Sequence, residues 1–178
     1  MTFRPVFILI VWSTFAWQSN AQEARVLKGE EITESALINA LTPEKGIRTR
    51  SIKVMRDESG AAEKAASASM LITFQTNSAD LTLEARQSLD VVGRALKMDK
   101  LAQYKFAIEG HADPRGTADF NRQLSQARAD TVRNYLVRNH SIDAERLIAV
   151  GKGDQELLDK ENLAAPENRR VTIVTRTR

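Results

Sequence analysis

The chain has 178 residues, 28% of them charged, with 26 Lys and Arg against 23 Asp and Glu and no cysteine. This composition suits one globular domain with flanking material, and the absence of cysteine excludes disulfides and a lipidated N-terminal cysteine. A formal net charge of only +3 disfavours general binding to nucleic acid, so no nucleic-acid partner is expected.

The N-terminus has the pattern of a secretory signal. Arg4 precedes an apolar run from Val6 to Trp17 that is too short to span a bilayer, and small residues at Ser19 and Ala21 suit signal peptidase. We expect residues 1–21 to be a cleaved signal peptide, with an uncleaved N-terminal anchor as the alternative. Cleavage would place a chain without a transmembrane segment in a periplasm-like compartment.

Residues 22–66 are predicted to form an N-terminal extension. Thr33 is a suitable N-cap for a short helix that Pro43 ends, and the apolar residues of that helix are Ala36, Leu37, Ala40 and Leu41. The following stretch, "IRTRSIKVMRDESGAAEKAASAS", mixes basic residues with Ser, Gly and Ala, which predicts a flexible basic linker. Its charges are either simply solvated or available to a polyanion or an anionic lipid.

Residues 67–178 are predicted to form the folded domain. Short apolar runs predict strands at "MLITF", "YKFAIEG", "RLIAVGKG" and "RRVTIVTRT". Helical spacing of apolar residues predicts helices at "LTLEARQSLDVVGRALK" and over residues 118–139. The order β-α-β-α-β-β, with right-handed crossovers that put both main helices on one face, predicts an α+β two-layer sandwich with a mixed four-stranded sheet.

The second of these helices carries a charge within its apolar face. Arg128 lies inside that face, and Asn121, seven residues earlier, points in nearly the same direction. Asp113 comes before the helix, in the turn "DPRG" just past the end of a strand, where sheets of this kind commonly bind ligands. The predicted apolar face comprises Phe120, Leu124, Ala127, Val132, Tyr135 and Leu136.

Two interpretations of Asp113 and Arg128 fit this spacing. The first is a structural ion pair that holds the turn against the helix. The second is a pocket for a zwitterion, in which Asp113 binds an ammonium and the forked guanidinium of Arg128 binds a carboxylate. The spacing alone does not choose between them, and neither requires catalysis.

Other chemistry is not indicated by the sequence. Two histidines, His111 and His140, without cysteine make a poor ligand set, so we expect no metal site. Ser125 lacks the glycine elbow of serine hydrolases, and "GKG" at Gly151 lacks the third glycine of a nucleotide-binding loop. We therefore expect no cofactor and no enzymatic activity, since an enzyme would need a second converging carboxylate or a metal.

Five segments within residues 70–178 together resemble one known family. They are "ITFQTNSADLT", "IEGHADPRG", "NRQLSQARADTVRNYL", "VGKGDQ" and "APENRRVTI". In this order and spacing they are similar to the OmpA-like peptidoglycan-binding domain of outer-membrane protein A, the peptidoglycan-associated lipoprotein and flagellar stator proteins. The resemblance implies a cell-envelope protein near the outer membrane that binds the peptidoglycan stem peptide at the zwitterionic end of meso-diaminopimelate, through Asp113 and Arg128.

The resemblance also assigns further site residues. Thr76, Asn77 and Asn121 match positions that supply hydrogen bonds, and Ala112 replaces a usual threonine, so only its backbone could contribute. Gln75 departs from the usual acidic residue. Asn168, Arg169 and Arg170 match an Asn-Arg-Arg signature whose role is either ligand contact or closure of the sheet edge. The alternative function is an adaptor whose N-terminal extension docks another envelope protein while the domain holds the wall.

Overall fold

The computed structural model describes residues 26–43, 65–75 and 78–176. Its strands are β1 (Val26–Leu27), β2 (Ser67–Met70), β3 (Lys105–His111), β4 (Leu147–Gly153) and β5 (Val171–Arg176), and its helices are α1 (Glu34–Leu41), α2 (Leu83–Lys97), α3 (Asp99–Ala102) and α4 (Ala118–His140). The α+β class is confirmed. The predicted signal and most of the predicted linker lie outside the described residues. Within those residues, no helix has the length and apolar character needed to cross a bilayer.

The sheet is mixed and has the order β1-β2-β5-β3-β4. β5 runs antiparallel to both β2 and β3, whereas β4 is parallel to β3. The sheet has five strands rather than the four predicted, because β1 of the extension adds in parallel to β2. The amide of Leu71 continues this pairing by donating to the carbonyl of Leu27 at 2.9 Å.

The first predicted strand, "MLITF", is placed too late in the sequence. β2 ends at Met70, where the amide of Ile72 bonds back to the Met70 carbonyl at 3.1 Å and turns the chain out of the sheet. Phe74 makes only an isolated bridge to Leu81. Met70 and Ile72 of this run are buried and Phe74 packs against the core. A sequence pattern cannot distinguish such packing from strand pairing.

Helix α2 follows its predicted pattern closely. The Thr82 side chain caps it by accepting a hydrogen bond from the Ala85 amide at 3.2 Å. Its four predicted inward residues are all buried, at spacings that form a single stripe facing the sheet: Ala85, Leu89, Val92 and Leu96. Helices α2 and α4 pack on the same side of the sheet, and His140 at the end of α4 bonds Asp90 of α2 at 2.8 Å.

The extension packs onto the domain from residue 26 to residue 43. Thr33 caps α1 as predicted, and Leu37 and Leu41 of that helix are fully buried in the common core. The Thr175 hydroxyl of β5 donates to the Leu41 carbonyl at 2.6 Å, and Arg94 of α2 pairs with Glu34 at 2.6 Å. This part of the extension therefore shares the hydrophobic core of the domain.

Helix α4 lies unusually close to the sheet because glycines face it. A Cβ atom at Gly110 would lie 2.3 Å from the Ser125 carbonyl oxygen, and one at Gly151 would lie 2.6 Å from the Gln126 amide nitrogen. The Gln126 side chain accepts from the Gly151 amide at 2.6 Å and donates to the Ala149 carbonyl at 3.4 Å. Its amide group thus occupies hydrogen-bonding groups of the edge strand β4.

This close approach corrects the predicted apolar face of α4. The buried residues are Asn121, Ser125, Ala129, Val132 and Leu136, so the face is rotated at its N-terminal half. Phe120 is 49% exposed and Ala127 is also exposed, whereas Val132 and Leu136 are buried as predicted. The physical reason is space, since only small side chains fit against the glycines of β3 and β4.

Candidate ligand-binding site

A cavity of about 220 Å³ lies where β3 ends and β5 begins. Arg128 reaches it from α4, and Arg169 and Arg170 reach it from the segment entering β5. Among the described residues, three arginines and no acidic residue line this cavity, so it favours an anionic group. The complete lining is Leu71, Ile72, Thr73, Phe74, Gly110, His111, Arg128, Pro166, Arg169, Arg170 and Val171.

Arg128 is half-buried and carries an incompletely balanced charge. Its Nε donates to the carbonyl of Ser78 at 3.1 Å, and its guanidinium carbon lies 4.9 Å from the centre of the Phe74 ring. No carboxylate of the described ranges forms an ion pair with it. Burial and the neighbouring Arg169 charge lower the pKa of Arg128, and Asp113 opposes them only in part. A bound anion would relieve this repulsion.

Asp113 is buried and fully engaged by two other arginines. The Arg115 side chain donates to it at 3.1 Å from Nε and at 2.7 Å from Nη2, and the Arg115 amide donates at 3.1 Å. Arg169 adds a fourth hydrogen bond at 2.9 Å. The bonds from Arg115, helped by Arg169, lower the pKa of Asp113 to about 2 against the opposing effect of burial.

The direct Asp113–Arg128 ion pair that the spacing suggested is therefore not formed. Arg169 instead connects the two parts of the site, because it bonds Asp113 and also lines the cavity beside Arg128. The reason lies in the turn: Arg115, two residues after Asp113, curls back onto the carboxylate, as local Asp turns allow. The sequence analysis included Arg115 only as part of the turn. Its position two residues after Asp113 is the feature of the sequence that indicates this contact.

In the Asn-Arg-Arg segment, Asn168 is engaged by its own loop, whereas Arg169 and Arg170 both line the cavity. Asn168 is fully buried; its side chain accepts from the amides of Leu158 and Asp159 and donates to three carbonyls of the same loop. Arg170 is also buried and donates to the Glu156 carbonyl at 3.1 Å. Arg169 is the most exposed of the three and is the one that contacts Asp113.

A polar cluster shares His111 with the cavity. The side-chain atoms of Glu109, His111 and Glu156 that could bind a metal ion lie within 4.8 Å of one another. The Lys152 ammonium already contacts Glu156 at 2.7 Å and Glu109 at 3.5 Å. Burial, with Arg170 nearby, lowers the pKa of His111 to about 3, so its imidazole is neutral at physiological pH.

The remaining predicted site residues are less directly placed. Asn121 is buried, bonds Asp154 at 3.1 Å and does not line the cavity. The Ala112 amide donates to the Gly153 carbonyl at 2.8 Å, so a ligand contact through that amide would require breaking this bond. Thr76 and Asn77 lie outside the described residues.

A second depression, of about 450 Å³, lies between α4 and the start of β4. Its charged groups are Asp130, Arg133 and Glu145. Arg133 is committed to the fold, because it donates to the carbonyls of Leu147 at 2.8 Å and Ala144 at 3.0 Å. The larger depression therefore lacks the converging cationic groups of the smaller cavity.

Comparison with known proteins agrees with this fold. Residues 73–170 match the OmpA family. The chain is 31% identical over 147 residues to the peptidoglycan-associated lipoprotein of Pseudomonas aeruginosa, covering 82% of this chain and 84% of that protein. It is 35% identical over 104 residues to the protein of that name in Rhizobium meliloti, and this match spans 58% of each chain.

Solved structures show the same fold. The peptidoglycan-associated lipoprotein of Burkholderia pseudomallei superposes with a TM-score of 0.51 at 26% identity, covering 61% of this chain and 89% of that one. A putative MotB-like protein of Desulfovibrio vulgaris gives a TM-score of 0.56 over 80% of this chain and 94% of that one. At 20% identity this second likeness concerns the fold alone.

Proposed function

The chain belongs to the OmpA family, and we propose that it binds peptidoglycan without covalent attachment and thereby anchors itself to the cell wall in the periplasm. The proposed ligand group is the zwitterionic end of meso-diaminopimelate in the stem peptide. Its ammonium and carboxylate share one carbon, so two protein groups of opposite charge at one site can recognise it. No cofactor and no catalytic step are part of this proposal.

Arg128 is the observation that carries the proposal. Its half-buried charge reaches the cavity from α4 without a carboxylate partner among the described residues. A half-buried guanidinium of this kind is costly unless a ligand supplies the missing negative charge. The walls beside it, formed by Ile72, Phe74 and Pro166, suit the aliphatic chain of diaminopimelate.

Asp113 is the proposed partner of the ligand ammonium. It is ionised at any pH well above about 2, and Arg169 connects it to the cavity that Arg128 lines. Thr76 and Asn77 are proposed to add hydrogen bonds, because they directly precede Ser78, whose carbonyl accepts from Arg128. Asn121 would contribute only by exchanging its bond to Asp154.

The geometry favours wall binding over the adaptor alternative. Residues 26–43 of the extension are packed against β2, β5 and α2, which leaves fewer of their groups for a partner protein. An enzymatic role gains no support from Ser125, whose hydroxyl donates to the Arg122 carbonyl at 2.9 Å and accepts from the Gly153 amide. The proposed domain of residues 67–178 would thus act together with this packed part of the extension.

Co-sedimentation with purified diaminopimelate-type sacculi tests the proposal. Wild type is compared with Arg128→Ala, and Arg133→Ala is the matched control because Arg133 also donates from α4 to backbone carbonyls but faces the other depression. Loss of a charge-assisted contact should lower wall affinity by about tenfold or more for Arg128→Ala and leave Arg133→Ala unchanged. Equal sedimentation of a folded Arg128→Ala protein would reject this pocket as the wall-binding site.

A further inference from the structure

The carboxylate of Asp113 has no unused acceptor position in this structure. A carboxylate offers about four lone-pair sites on its two oxygens. Oδ1 accepts from the amide and Nε of Arg115, and Oδ2 accepts from Nη2 of Arg115 and Nη1 of Arg169. A ligand ammonium therefore cannot bind Asp113 until one of these donors leaves.

We infer that Arg115 is an internal competitor that occupies Asp113 in the absence of ligand and lowers the affinity of the site for a ligand ammonium. This inference rests on the proposed function, because it assumes that Asp113 receives the ammonium of a zwitterion. Arg115 presents to Asp113 the same kind of charge that the ligand would bring, so binding is an exchange of one cation for another.

Arg115 is the donor that leaves most readily. Its side chain is 66% exposed, whereas that of Arg169 is 37% exposed. Within the described part of the chain, the side-chain hydrogen bonds of Arg115 all go to Asp113, but Arg169 also donates to the Ala164 carbonyl at 3.0 Å. The released Arg115 guanidinium would return to water, while its backbone amide keeps its bond to Oδ1.

The local backbone allows this exchange without moving the turn. Pro114 fixes the chain before Arg115, and Gly116 after it has a φ of +118°, a conformation that glycine adopts readily. Rotation of the Arg115 side chain is therefore sufficient to open Asp113. The turn itself keeps its position beside β3 and α4.

Selectivity for zwitterions comes from Arg128, because the exchange at Asp113 is common to every ammonium ligand. A simple amine would gain only the contact that Arg115 gives up, so its net gain is small. A zwitterion gains in addition the Arg128 contact, where the positive charge is incompletely balanced. Removing the Arg115 charge should therefore strengthen binding of both ligands by a similar factor and leave the preference for the zwitterion unchanged.

Calorimetric titration of the purified protein with free meso-diaminopimelate, and in parallel with cadaverine, tests this inference. Wild type is compared with Arg115→Gln, and Arg138→Gln at the exposed opposite end of α4 is the control for lost charge. We expect Arg115→Gln to bind meso-diaminopimelate about threefold to fivefold more tightly, the scale of an exposed ion pair. The affinity of Arg115→Lys for meso-diaminopimelate should lie between those of wild type and Arg115→Gln, because lysine keeps the charge but loses the two-point contact.

The outcomes separate the inference from the proposed function. If wild type binds meso-diaminopimelate and Arg115→Gln binds it equally or more weakly, Arg115 does not compete and the inference is wrong while the function stands. If neither folded protein binds, the zwitterion pocket fails and the inference fails with it. If Arg115→Gln does not fold by circular dichroism, Arg115→Lys decides, since weaker or equal binding by that variant also contradicts competition.

Discussion

The buried carboxylate of Asp113 should make the stability of the protein depend on pH in a defined window. Its pKa falls from an ordinary value of 3.8 to about 2 because Arg115 and Arg169 bond the charged form. A folded-state pKa below the unfolded value stabilises the protein at pH values above about 4, and this contribution is lost as the pH falls toward 2. The difference between these two pKa values corresponds to about 2 kcal/mol.

The perturbation that isolates this effect is Asp113→Asn. Urea denaturation of wild type and variant at pH 5 and pH 2 gives the free energy of unfolding of each protein at each pH. The difference in free energy of unfolding between wild type and Asp113→Asn should be about 2 kcal/mol smaller at pH 2 than at pH 5. Asp130→Asn, at an exposed site on α4, controls for the removal of one carboxylate. A constant difference between wild type and Asp113→Asn would refute the assigned hydrogen bonds.

Three further predictions concern the fold and the polar cluster. Gly151→Ala should lower the free energy of unfolding, measured with urea, by about 3 kcal/mol. The reason is that its Cβ would lie 2.6 Å from the Gln126 amide nitrogen. An unchanged free energy of unfolding would contradict the close packing of α4 on β4. Leu37→Ala should lower the free energy of unfolding by about 2–5 kcal/mol in the same assay, because Leu37 is fully buried in the shared core. A loss under about 1 kcal/mol would contradict a shared core. The ring shifts of His111 should stay constant in NMR spectra between pH 5 and pH 8, since its pKa is about 3; a titration near pH 6.5 would contradict its burial beside Arg170.

The helices were the most predictable part of the fold. The stripe of α2 and the bounds of α4 follow from apolar spacing and from threonine caps, which are local properties of the sequence. The buried face of α4 was not predictable in this way, because the glycines that select it belong to β3 and β4. The early end of β2 was missed for a similar reason, since burial without pairing gives the same apolar pattern as a strand.

The sequence indicated that Arg128 reaches the end of β3 but did not predict the contacts of Asp113. Arg128 reaches a cavity at the end of β3, as its place on the helix indicated. Spacing gave no means of choosing among several arginines for Asp113, and the structure pairs it with Arg115 and Arg169. Which guanidinium reaches a carboxylate depends on turn geometry and on how the segment before β5 folds around Asn168.

NMR titration of isotope-labelled protein with a soluble muropeptide ending in meso-diaminopimelate tests the central claim most directly. The account predicts saturable shifts of the Arg128 Nε–H signal and of the backbone amides from Asp113 to Gly116, all fitting one dissociation constant. Shifts confined to the depression around Arg133 and Leu147, with the Arg128 signal unchanged, would contradict a zwitterion site at this cavity.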